Sequence, residues 1–168
     1  MLNVLPLDIT PAFLGKPHFF IETIPQSNSS SGKTLTIYAD GSKKAGGSGA
    51  GIFSHDLQLH VSTSLGSYCT TGQAELTAIN IAADAIIDSK KVGRNVVICN
   101  GSRQAMLAVG RHQTISSLVK FCRQSLEEAN VSNNVTIKWR KGHIGIKEND
   151  HADRLAKRAA NEISPDLP

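Results

Sequence analysis

Three carboxylates stand in local settings unlike those of ordinary surface acids. Asp40 closes the strand-like run Thr36-Ile37-Tyr38-Ala39 and is followed by Gly41-Ser42. Glu75 lies within Gln73-Ala74-Glu75, in the first turn of a helical pattern. Asp153 follows Gly142-His143-Ile144-Gly145 and stands early in another such pattern. Acids drawn from distant parts of a chain are a common means of holding a hard cation such as Mg2+ against phosphate, because such ions bind anionic oxygen. A fourth segment, Val96-Val97-Ile98-Cys99-Asn100-Gly101-Ser102, has the same strand-then-turn form but carries no acid. Glu75 shares a stripe with Ile79, Ala82 and Ile86, a face turned to a core. A carboxylate on such a face is costly unless it is paired or coordinated.

The elements that must position these groups follow from periodicity. Leu35–Ala39 alternates and is rich in strand formers, and Gly46–Phe53 and Leu57–Leu65 extend it into an antiparallel meander of three strands. Gly46 to Gly51 superficially resembles a dinucleotide-binding loop, but a strand follows it where that motif needs a helix. Thr70 with Gln73 fits a capping box, and Leu76, Ile79, Ala83 and Ile86 keep helical spacing to about Ser89. Val96–Cys99 is a short continuous apolar run, the pattern of a buried parallel strand. Ser102 is placed to cap a short helix to Val109, and a longer helix is expected over about Ile115–Ala129. Val135, Ile137 and Trp139 alternate in a fifth strand. The last helix is expected to start at Asn149 as cap, with Ala152, Leu155, Ala156 and Ala159 as its apolar stripe.

This order predicts an α/β fold, a five-stranded mixed sheet of three antiparallel then two parallel strands, flanked by helices. Right-handed crossovers would bring the carboxyl ends of the central strands to one edge. Asp40, ending the first strand, would there meet Glu75, Gly101 and Asp153.

A chain of 168 residues with 40% hydrophobic and 19% charged residues suits one domain with a full core. Residues 1–32 differ: Pro6, Pro11, Pro17 and Pro25 precede a Ser/Gly-rich stretch, and they read as an arm and linker, with Phe19, Phe20 and Ile21 available to pack on the domain. The domain proper is expected over 33–163, with 164–168 a tail. The net charge of +4 is a mild basic bias. Cys69, Cys99 and Cys122 follow no ligand spacing and read as free thiols of a reducing compartment. With no apolar run of ~18 residues and no signal-like N-terminus, the expectation is an intracellular protein, cytoplasmic or nuclear, and no membrane contact.

With these segments in this order, the chain resembles a ribonuclease H domain over about Lys33–Asn161. Asp40-Gly41-Ser42 resembles the first motif of that family and Glu75 in Gln73-Ala74-Glu75 the second. The run from Gly142 to Lys157 is the most specific, and it is similar to domains of non-LTR retrotransposon reverse transcriptase polyproteins. The resemblance implies hydrolysis of the RNA strand of an RNA/DNA hybrid with two Mg2+ ions, Mn2+ substituting, about 4 Å apart. It implies Asp40 bridging both, Glu75 on the leaving-group side, Asp153 on the nucleophile side, and His143 assisting proton transfer and product release. A polymerase domain of the same polyprotein is the implied partner. Relatives usually carry an acid where Gly101 stands; an adjacent register would put neutral Asn100 there. Gly41, Ser42, Thr70, Thr71, Ser102 and Arg103 match or neighbour the nucleic-acid contacts of the family. Lys43, Lys44, Arg111, Lys138, Arg140 and Lys141 are further candidates for phosphate, while the basic extra helix of some relatives has no counterpart in Val109–Gln113. His151 reads as a solvated helix residue.

Overall fold

The alternation that begins at Leu35 carries β3 from Thr34 to Lys44, and its buried members Leu35, Ile37 and Ala39 all face one way. The computed structural model of the protein describes residues 11–24, 33–141 and 145–162. β4 (Gly47–Ser54) and β5 (Leu59–Gly66) pair antiparallel beside β3. β6 (Asn95–Asn100) runs parallel to β3 on its other side, and β8 (Asn134–Trp139) runs parallel to β6. These are the five strands expected, but the sheet has six. β2 (Phe20–Glu22) lies parallel along β8, giving the order β2-β8-β6-β3-β4-β5. Three residues between Pro17 and Pro25 are too few to show a strand period, so this edge is invisible in the pattern. Farther out, β1 (Ala12–Phe13) pairs with β7 (Gln113–Thr114) as a separate ribbon. The linker residues 25–32 and the tail from 164 lie outside the described residues.

Helices cover both faces. Helix α1 (Thr71–Asp88) opens on the capping box read from the sequence: the Thr70 hydroxyl accepts from the Gln73 N–H, and Gln73 reaches back to the Thr70 N–H. Helix α2 (Arg103–Gly110) is capped by Ser102 as expected, and α3 (Ser117–Ser132) by Ser116. On the face with α1 and α3, Ile37, Ile52, Ile79, Ile98, Leu126 and Ile137 form a continuous core.

The opposite face takes α4 (Lys147–Asn161), packed across β3, β4 and β5. A Cβ on Gly49 would come within 2.5 Å of the Ala156 carbonyl, and one on Gly51 would collide with the Ala152 carbonyl. The glycine-rich stretch is therefore a seat for a helix backbone. Helix α4 starts two residues before the expected cap: Ile146 occupies the cap position without a side-chain bond, and Asn149 is already helical. Glu148 and Asp150 in its first turn complement the helix dipole instead.

Candidate active site

Asp40 does not end β3. The strand runs four residues further, and Asp40 is paired with Gly51 of β4, one residue past Ala39–Asn100, the last pair of β3 with β6. A ladder that continues past Asp40 fixes its carboxylate more firmly than a strand end would. Glu75 comes from the second turn of α1, just past the first turn in which the sequence pattern set it, and is 8% exposed. Asp153 comes from the second turn of α4 and is half-buried. The three acids meet in a cleft of about 190 Å³, lined with them by Gly41, Gly101, Asn149 and Asp150. Larger hollows lie elsewhere, such as one of about 620 Å³ between the β4–β5 turn and the end of α1, with none of these acids in its lining.

The electrostatics mark a crowded anionic site. Asp40 is pushed up to about 8 by burial, then by the charge of Glu75 and by the hydrogen bond and charge of Asp153. Burial raises Glu75 as well, while hydrogen bonds from Asn100 and Gly41 pull it back. Asp153 is tied to Lys157 at 2.8 Å, a contact that raises the lysine. Among the described residues no three His, Cys, Asp or Glu side chains are arranged as a ready metal site. The acids lie hydrogen-bonded to one another instead. Their chemistry still fits a hard divalent ion: oxygen donors, close-set, anionic, and short of compensating charge.

Asn100, which the sequence offered only as a neutral residue at the position of the missing acid, organises the site. Its side chain is fully buried. The amide donates to the Ala39 carbonyl at 3.0 Å and to Glu75 Oε2 at 2.8 Å, and its Oδ1 accepts from the Ser102 N–H at 2.7 Å. The Gly41 N–H donates to the same Glu75 oxygen at 3.0 Å. Asn100 thus aims Glu75 and pins the turn bearing Gly101. One signal pointed to it, a polar residue closing an apolar strand. Gly101, not Asn100, lines the cleft, and a Cβ built on it meets only the Arg140 carbonyl, at 3.6 Å. The indole of Trp139 donates to the Gly101 carbonyl at 3.2 Å.

The remaining candidates divide. His143 lies outside the described residues. Thr70 and Ser102 are caps, with Thr71 exposed as the first residue of α1. Gly41 and Ser42 continue β3 past Asp40. Arg103 stacks 3.7 Å from the centre of the Trp139 ring and donates from Nε to the Thr23 carbonyl. Lys43 is drawn to the Ser67 and Cys69 carbonyls, and Lys138 to Glu22. Lys44, Arg111 and Lys141 are exposed. His151 is not a free surface side chain: its ring stacks on Phe53.

A mixed six-stranded sheet flanked by helices defines a ribonuclease H-like α/β fold. A profile of the family described as RNase H matches residues 32–161, and the chain belongs to the ribonuclease H family. A ribonuclease H of Photorhabdus luminescens is 29% identical over 144 residues, covering 77% of this chain and 90% of that protein. A ribonuclease H of Roseobacter denitrificans is 48% identical over 42 residues, covering 25% of this chain and 28% of that protein. Among the described residues no helix is long and apolar enough to cross a membrane.

Proposed function

We propose that this domain engages RNA/DNA hybrids and hydrolyses their RNA strand at the cleft of Asp40, Glu75 and Asp153, with its rate held down by the missing acid at Gly101. The supporting observation is the convergence of these three carboxylates with Gly101 in one cleft. Asp40, Glu75 and Asp153 are the residues that would hold divalent ions. Such ions, when bound, supply positive charge for the scissile phosphate and an acidified water. The protein's own part is positional. Asn100 and the Gly41 N–H orient Glu75, the continuing ladder of β3 with β4 fixes Asp40, and the glycine seat of α4 sets Asp153 against them. His143 is assigned to proton transfer by resemblance alone, and Gly41, Ser42, Thr70, Thr71, Ser102 and Arg103 to nucleic-acid contact on the same ground. The retrotransposon-like wording of 142–157 supports an origin in an intracellular reverse-transcribing polyprotein with a polymerase domain as neighbour.

A second reading, a hybrid-binding or bracing module without turnover, is favoured by one observation, the glycine itself. Both readings are separated by incubating a labelled hybrid with Mg2+ or Mn2+ and either the parent chain or Gly101→Asp. A Cβ at Gly101 meets only the Arg140 carbonyl at an ordinary 3.6 Å, so the substitution adds a side chain there without a clash at its first carbon. Slow cleavage by the parent, raised at least about tenfold by Gly101→Asp, is expected. Equal, rapid cleavage by both removes the impairment. Cleavage by neither, with a salt-sensitive gel shift, supports the binding module; absence of any shift removes both readings.

A further inference from the structure

Between α4 and the strands β4 and β5, two histidines from different elements meet. His60 of β5 is exposed, and His151 lies on α4. His60 Nδ1 and His151 Nε2 are 3.2 Å apart, and the ring centres are 4.9 Å apart. Phe53 fixes the pair: its ring stacks on His151 at 4.3 Å and meets His60 edge-on at 5.0 Å. In register, Phe53 stands opposite His60 on the neighbouring strand, so the backbone ladder holds two of the three rings.

The spacing has a chemical meaning. A tetrahedral ion bound at about 2.0–2.1 Å by each of two imidazole nitrogens holds those nitrogens roughly 3.3 Å apart. The two nitrogens, which share a hydrogen bond, thus also stand at the separation of two ligands on one ion. Chelation replaces that bond, the proton between them moving to the outer nitrogen of its ring as both rings turn their lone pairs to the metal. Imidazole suits Zn2+, Ni2+ and Cu2+ and is a poor partner for Mg2+, the ion fitted to the carboxylate cleft. The stacked phenyl ring supplies the orientation that a ligand otherwise draws from a hydrogen-bonded neighbour.

We propose that His60 and His151 form a second, separate metal site, a two-histidine chelate for Zn2+, Ni2+ or Cu2+, completed by water. Occupancy ties β5 to α4 and so clamps the helix that carries Asp153. The site is independent of whether the acid cleft cleaves anything.

The test titrates NiCl2, with MgCl2 as control, into the untagged full chain while proton–nitrogen spectra and amide exchange are recorded. Ni2+ is expected to broaden the ring signals of His60 and His151 first, at one ion per chain, and to slow exchange along α4. His60→Ala and His151→Phe should each weaken that event by at least about tenfold. His151→Phe keeps a ring stacked on Phe53, so a loss there is not a loss of folding. Asp153→Asn should leave the event in place. Ni2+ binding that survives both histidine variants, is lost with Asp153→Asn, matches the response to Mg2+, or is absent at millimolar metal overturns the proposal.

Discussion

Asp40 is an acid that the fold holds partly against its charge, and this fixes a sign for pH dependence. Its carboxyl is raised from 3.8 to about 8, by burial first and then by Glu75 and Asp153. The folded chain therefore keeps a proton that the unfolded chain releases above about pH 4. The stability from that proton is complete below about pH 4 and is lost as the pH rises through about 8. Urea denaturation in chelator-treated buffer should show stability falling across this window. Asp40→Asn should flatten the fall and be more stable than the parent at pH 8.5, by roughly 1–3 kcal/mol. A parent whose midpoint is level from pH 4 to 8.5 would contradict the crowding. Asn100 acts at the same scale in the opposite sense. A neutral amide with its polar atoms satisfied faces Glu75, lowering the cost of a buried acid without adding a charge.

Among elements, α4 shows how the backbone of a strand sets the position of a functional side chain. Gly47, Gly49 and Gly51 alternate on β4, and on the α4 side each is pressed against the helix backbone at Ala160, Ala156 and Ala152. Gly51→Val should displace α4, destabilise the protein by about 3 kcal/mol or more in urea, and move Asp153 out of the cleft. A variant that keeps both its stability and its cleft would show that the close approach is not needed. The sequence made much of this arrangement legible. Asp40, Glu75 and Asp153 sat in patterns strong enough to place their elements, and the caps Thr70 and Ser102 are where their types suggested. What failed to show had weak local signals. Helix α4 is capped by Ile146, which no propensity marks, while Asn149 attracted the expectation by residue type alone. The spacing of glycines on β4 resembled a loop because close helix packing and turn-making ask for the same residue. His151 looked solvated because its partners, Phe53 and His60, are remote in sequence.

At the scale of the whole molecule, the segment before the expected boundary is bound into the domain. Phe19 is 3% exposed in the core, and Ile21 packs against that core. The buried guanidinium of Arg123 donates to the carbonyls of Val109 and Arg111 and, from the arm, to those of Gly15 at 2.8 Å and Leu14 at 3.4 Å. His18 and Arg123 converge on Glu127. The arm thus helps satisfy a cation that is only 3% exposed, and its Thr23 carbonyl holds Arg103 over Trp139, whose indole props the Gly101 turn. Deleting residues 11–24 removes a buried phenylalanine, worth about 1.5–3 kcal/mol, and leaves Arg123 short of acceptors, at about 1–3 kcal/mol more. The truncated chain should therefore unfold at a clearly lower urea midpoint. Arg123→Met should cost less in the truncated chain than in the parent, because the arm carbonyls it would strand are already gone. Identical midpoints for the truncated and parent chains would return residues 11–24 to the status of a tether.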